Sequence, residues 1–177
     1  MTIREHVPVA SLTTLGIGGP ARALAAVRSE VDVQAACAWA RERSLPVTIL
    51  GGGSNVLVPD SGLDALVLQP ACTTIETVAD THATYVTVGA GVVWDTLVAW
   101  CVDAGLWGLE NLSAIPGLVG AVPVQNVGAY GVEVGSVIES VDVYDVRTNA
   151  AYTLDNAACD FSYRDSRFKE DGNSEIV

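Results

Sequence analysis

Where a sequence strips side chains from its backbone, the amide groups themselves become available for chemistry. The stretch ILGGGSNVLV, residues 49–58, does this between two apolar runs. Gly51, Gly52 and Gly53 can reach positive φ and turn successive N–H groups toward one point, and Ser54 and Asn55 add side-chain donors. Such a nest fits a pyrophosphate, whereas the same residues also make a plain strand-to-strand turn, and the pentapeptide alone leaves both readings open. Two familiar phosphate loops are excluded by spelling. A Walker loop needs a lysine where Asn55 follows Ser54, and a Rossmann fingerprint needs a third small residue and a helix where Val56 begins VLVPDSG.

A second glycine system, SAIPGLVGAVPVQNVGAYG, runs from Ser113 to Gly131. Gly117, Gly120, Ala121, Gly128, Ala129 and Gly131 leave main chain uncovered, so a flat ligand could lie against the peptide groups with Gln125 and Asn126 as neutral donors. Its lack of charge suits a large aromatic ring better than a phosphate; a buried, tightly turned crossing would use the same small residues. In FSYRDSRFK, Arg164 stands between Tyr163 and Asp165, as a surface counter-ion or as a fixed positive charge in a cleft, and composition does not choose between it and Arg167. LGIGGPA spells G-x-G-x-x-A from Gly16 to Ala21, but it follows the polar SLTT and is interrupted by Pro20. His6 and His82 complete no triad, and Lys169 beside Glu170 and Asp171 is a poor Schiff-base amine.

Composition removes whole classes of function. The 177 residues carry 21 acids against 9 bases, one of them lysine, and a net charge of −12 repels phosphate backbones, so nucleic acid is not an expected partner. The cysteines at 37, 72, 101 and 159 have no C-x-x-C spacing and no nearby histidine pair, which disfavours a metal site and favours reduced thiols. The longest uncharged stretch, Asn111–Val132, holds two prolines and four glycines and makes a poor membrane helix. With no apolar run in MTIREHVPVA to serve as a signal peptide, a cytoplasmic protein without membrane partners is expected.

The elements that must position these residues follow from periodicity. Ala23–Val27 predicts a short strand; Ser29 then caps a helix with Val33, Ala36, Cys37 and Ala40 on one face, and VTIL leads into the glycines as the second strand of a β-α-β unit. Ala65–Gln69 completes a first lobe, residues 1–72. From Thr73 the pattern alternates, predicting an antiparallel pair around Asp80, then a helix from Trp94 with Leu97, Val98, Cys101 and Val102 inward and Gly105 as terminator. A strand from Val137 to Val146, an RTNA turn and a return strand close a second lobe, residues 73–177.

Taken in order, TLGIGGPA, LGGGSNVLV, IPGLVGAVPVQNVGAYGVE and YRDSRFK resemble the UDP-N-acetylenolpyruvoylglucosamine reductase (UDP-N-acetylmuramate dehydrogenase) family of peptidoglycan precursor synthesis, from about Ser11 to the last residue. The resemblance implies an α+β, two-lobed FAD-binding fold of the vanillyl-alcohol-oxidase/p-cresol-methylhydroxylase type, with a small α/β lobe and a larger α+β lobe. It implies that Gly51, Gly52, Gly53, Ser54 and Asn55 hold the pyrophosphate of non-covalent FAD. Ile115, Pro116, Gly117, Gly120, Ala121, Gln125, Asn126, Gly128, Ala129, Tyr130 and Gly131 would line the remainder, including the isoalloxazine, and Arg164 matches the family's catalytic arginine. No metal is implied. In the family, hydride passes from NADPH to the flavin and on to the enolpyruvyl double bond of a UDP-sugar, leaving negative charge that a cation must stabilise.

The family's serine proton donor and glutamate belong to a third, substrate-binding domain beyond the YR-S motif, and no residue here is assigned to either. The chain is therefore expected to be an FAD-binding portion that does not turn over alone. The alternatives are a stand-alone flavin- or nucleotide-binding module and an oxidase-type relative with covalent flavin, for which neither His6 nor His82 lies in a suitable glycine-rich segment.

Overall fold

The computed structural model describes residues 1–170 and 172–177, and its first element is one that hydrophobic patterning does not announce. β1 (Ile3–Pro8) reads IREHVP and is mostly exposed, because it is an edge strand. It pairs antiparallel with β2 (Pro20–Val27), Ile3 opposite Ala25 and Pro8 opposite Pro20. β2 begins three residues before the predicted strand, since Pro20 and Ala21 are held by the β1 ladder. After it come α1 (Glu30–Glu42), β3 (Val47–Ile49) and β4 (Leu63–Pro70), in a sheet ordered β1-β2-β4-β3. The β2/β4 and β3/β4 pairs are parallel, and the central strands show the continuous burial of parallel strands, with Ala65, Leu66, Val67 and Leu68 all inside.

α1 lies on β2 and β4 through small residues, Ala36, Cys37 and Ala40. Val33, expected on that face, is half-buried. The Ser29 Oγ accepts the Asp32 N–H at 3.3 Å, while the Asp32 carboxylate accepts the Arg28 N–H at 3.0 Å, so the reciprocal cap reaches one residue further back than a standard capping box. The core of this unit is Val9, Ala21, Leu24, Leu50, Val58 and Val67.

The chain divides into two compact units, Met1–Cys72 and Thr73–Val177. The second opens with a hairpin, β5 (Ile75–Ala79) and β6 (Thr84–Val88), whose turn is tied by Asp80 Oδ1 accepting the N–H groups of His82 and Ala83 at 2.7 and 2.8 Å. α2 (Trp94–Asp103) buries Trp94, Leu97, Val98 and Cys101. Val102, predicted on the same stripe, is instead 54% exposed, because in the last turn of the helix it is rotated off the face that Trp94, Leu97, Val98 and Cys101 share. Leu106 N–H bonds to Cys101 O at 2.8 Å and Gly105 N–H to Val102 O at 3.0 Å, a Schellman motif with Gly105 at φ 71°.

A two-residue ladder, β7 (Gly128–Ala129) with β8 (Val132–Glu133), follows, and then an antiparallel sheet ordered β10-β9-β11, made of β9 (Ser140–Asp145), β10 (Ala150–Asp155) and β11 (Glu175–Ile176). β9 starts later than predicted because Val134–Ser136 forms a 3-10 turn and the Val137 N–H bonds back to Val134 O at 3.0 Å. The main core here gathers Val92, Trp94, Leu97, Val98, Cys101, Leu112, Val122, Val127 and Val134; a smaller one joins Val141, Val143 and Cys159. The class is α+β. No helix among the described residues is long and apolar enough to cross a membrane.

Candidate functional site

The glycine loop leaves the carboxyl end of β3, flanked by the parallel strand β4, with Leu50 N–H on Leu68 O at 2.9 Å as the last sheet bond. Ligands of open α/β sheets sit at such ends. Of the three glycines only Gly53 has positive φ, at 68°, and it is buried. A Cβ there would stand 2.0 Å from Leu12 O, and the Thr14 N–H donates to Gly53 O at 2.9 Å. Gly19 and Gly62 are confined in the same way, their hypothetical Cβ atoms 2.1 Å from Asp60 O and 2.0 Å from Pro20 O. Leu12, Thr13 and Thr14 thus pack backbone on backbone against Gly53, and Gly19 and Pro20 against Asp60 and Gly62, within one unit. Gly53 has a structural reason to be glycine. Gly52 and Asn55 are exposed, and among the described residues no oxygen accepts the N–H of Gly51, Gly52 or Gly53. That is a donor set suited to an anion.

The Ser113–Gly131 segment lies wholly in the second unit and is laced to the start of α2. Trp94 Nε1 donates to Leu112 O at 2.8 Å, and Asp95 Oδ1 accepts the Ser113 hydroxyl at 2.8 Å and the Ala114 N–H at 2.7 Å. The Ala114 amide, then the Ser113 hydroxyl, hold the Asp95 carboxyl below the usual carboxylate value of 3.8. Gly120 N–H reaches Ala90 O at 3.0 Å, and a Cβ on Gly120 would be 2.7 Å from that of Ala90, so this glycine serves close packing.

Within the segment the predicted residues separate by exposure. Pro116, Ala121, Tyr130 and Gly131 are exposed; Ile115, Gly117, Gly120, Gln125 and Ala129 are half-buried; Asn126 and Gly128 are buried. Tyr130 and Gly131, at φ 51° and 80°, make the type I′ corner between β7 and β8, which leaves the Tyr130 ring 89% exposed. Asn126, expected to line the cofactor, has its side-chain amide occupied within the protein. Its Nδ2 donates to Ser162 O at 2.8 Å and to Glu133 Oε2 at 2.9 Å, and its Oδ1 accepts the Gly135 N–H at 2.9 Å, which uses both donors inside the protein.

Those bonds bring Arg164 to the segment. Ser162 and Asp165 exchange two backbone bonds of 3.1 Å each, closing a turn on Tyr163 and Arg164. Arg164 sits at φ 56°, a corner that a type II turn reserves for glycine or asparagine. Ser166, 4% exposed, donates its hydroxyl to Val124 O at 2.6 Å. The two arginines left undecided by sequence are now distinct. Arg167 bonds Glu175 through Nε and Nη2 and Ala158 O through Nη1, whereas Arg164 is exposed and, among the described residues, no carboxylate pairs with it. Lys169 donates to Arg164 O at 2.8 Å and stands 3.6 Å from Asp165; its other neighbour Asp171 lies outside the described residues. His6 on β1 and His82 in the β5/β6 turn are both exposed.

Sequence reasoning missed Asp95, Glu133 and Ser166, which hold backbone groups or the side chains of Ser113 and Asn126. The only signal was positional, an acid in the first turn of α2 and a serine inside YRDSRF.

A family described as "FAD binding domain" matches residues 21–150. The chain is 45% identical over 178 residues to UDP-N-acetylenolpyruvoylglucosamine reductase of Pseudomonas aeruginosa, covering 100% of this chain and 52% of that one. It therefore spans about half the length of the curated relatives it matches. Among solved structures, UDP-N-acetylenolpyruvylglucosamine reductase of Thermus caldophilus aligns with a TM-score of 0.79 at 33% identity, over 99% of this chain and 60% of that one. p-Cresol methylhydroxylase aligns with a TM-score of 0.58 at 16% identity, over 85% and 29%, a likeness of fold alone. The fold is of the two-lobed flavoprotein type that the motifs implied.

Proposed function

The chain belongs to the FAD binding domain family, and from that premise we propose that it is the flavin-holding part of a UDP-N-acetylenolpyruvoylglucosamine reductase that uses NADPH. The observation that carries this reading is the Arg164 turn, an exposed cation without a carboxylate partner among the described residues, tied to the uncharged glycine segment by Asn126 and Ser166. A cation that no carboxylate neutralises is available to negative charge that appears during reaction, as a salt-bridged arginine is not.

Each unit by itself offers groups of a kind that suits part of FAD. The N–H groups of Gly51, Gly52 and Gly53, with no protein acceptor among the described residues, would donate to its pyrophosphate at the carboxyl end of β3. The exposed, uncharged backbone at Pro116, Ala121, Tyr130 and Gly131 would line the rest of the cofactor. When bound, FAD supplies two-electron hydride chemistry between NADPH and substrate. Arg164 would bring its guanidinium to the charge that grows on the enolpyruvyl group. Its neighbour Arg167 is fully engaged and serves the fold. The 177 residues by themselves hold flavin without turning over the sugar nucleotide, and the parent works in the cytoplasm, where NADPH and reduced thiols such as Cys37, Cys101 and Cys159 both persist.

The test is the visible spectrum of the purified chain after incubation with FAD, then NADPH oxidation by the full-length protein with the enolpyruvyl UDP-sugar. Absence of flavin absorbance refutes the reading; flavin without substrate-dependent oxidation in the full-length protein leaves a binding module.

A further inference from the structure

Asn126 contributes something other than a ligand contact. It is 1% exposed, and its amide joins three segments: the Ser162–Asp165 turn, β8 through Glu133, and the 3-10 turn at Gly135. Its backbone sits at φ 41°, a region that asparagine tolerates better than other side-chain-bearing residues. The packing around it is close, since a Cβ on Gly135 would stand 2.9 Å from Asn126 Oδ1 and 3.0 Å from Phe161 Cβ.

Ser166 makes a second tie four residues after Ser162, its hydroxyl on Val124 O at 2.6 Å. The Arg164 turn is thereby fastened on both sides to residues 124 and 126, and it is stiffened by its own two Ser162–Asp165 bonds. Only the root of the Arg164 side chain is held, because no carboxylate among the described residues fixes its guanidinium. Where that root sits decides where the charge can reach.

We propose that Asn126 is a positioning residue for Arg164, setting the place of the Ser162–Asp165 turn without touching flavin or substrate. Its catalytic consequence rests on the reductase reading above; its structural content does not.

Asn126→Gly keeps the backbone region accessible and deletes the amide, while Asn126→Asp keeps the Gly135 acceptor and removes both donors. In the 177-residue chain, hydrogen exchange at the Ser162 and Asp165 amides should accelerate on the order of 10-fold in either variant, with the β5/β6 amides unchanged. Ser166→Ala should act in the same direction from the other side. Unchanged exchange at Ser162 and Asp165 in a folded variant overturns the proposal. In the full-length enzyme, Asn126→Gly should lower kcat on the order of 10- to 100-fold at unchanged KM and flavin content, and should add nothing in an Arg164→Ala background. Loss of flavin, or an equal further loss in that background, overturns it. Should the parental protein fail to reduce the enolpyruvyl sugar, the reductase reading falls and the exchange measurement still decides Asn126.

Discussion

Arg167 grips Glu175 at two points, Nε to Oε2 at 3.1 Å and Nη2 to Oε1 at 2.9 Å, and the glutamate side chain is only 6% exposed. The same carboxylate accepts the Tyr152 hydroxyl at 2.5 Å, which raises the tyrosine pKa. A guanidinium so committed ties β11 to the 3-10 turn Arg167–Lys169 and is not free for a substrate. Arg167→Ala leaves Glu175 nearly buried without its cation, and because the arginine itself is 35% exposed the cost should be about 1 to 3 kcal/mol, below that of a fully buried pair. Chemical denaturation of the two proteins measures it, and flavin content per folded molecule should not change.

Arg164→Gly should give the opposite pattern. Glycine accepts the φ 56° corner without strain, so stability should stay level or rise by up to about 1 kcal/mol. Turnover of the full-length enzyme should meanwhile fall on the order of 100- to 1000-fold with flavin retained. Melting temperature and steady-state rate, read on one preparation, check both halves.

The glycines divide by the reason each is glycine. At Gly53 any Cβ meets Leu12 O at 2.0 Å as well as φ 68°, so Gly53→Ala should cost about 2 kcal/mol or more and impair flavin retention. Among the described residues nothing lies within 4 Å of a Cβ added to Gly131, whose φ is 80°, so Gly131→Ala should cost about 1 kcal/mol, for the backbone conformation alone. Urea midpoints of the two variants give the comparison.

Acid should loosen the Ser113–Gly131 segment at its first anchor. The Asp95 pKa in the folded chain lies below the 3.8 of a free carboxylate, held there by the Ala114 amide and the Ser113 hydroxyl. Its contribution is therefore complete above the unfolded value and is lost as pH falls from there through the folded value. Unfolding free energy followed from about pH 5 to about pH 3 should drop less steeply in Asp95→Asn than in the parent chain, and equal slopes would remove Asp95 from the linkage.

What the sequence by itself determined is local. Ser29 before the helix, Gly105 after Asp103, Asp80 in its turn and the alternation after Thr73 each act within a few residues, and each element appears where its signal stands. β1 was not legible, because an edge strand covered on one side has no need of an apolar run. Only the tertiary structure decided which arginine is spent, why Gly53 is glycine, and that the Asn126 amide bonds to Ser162 and Glu133. Each of those depends on a partner between 7 and 41 residues away in the chain, brought near by packing that no local pattern encodes.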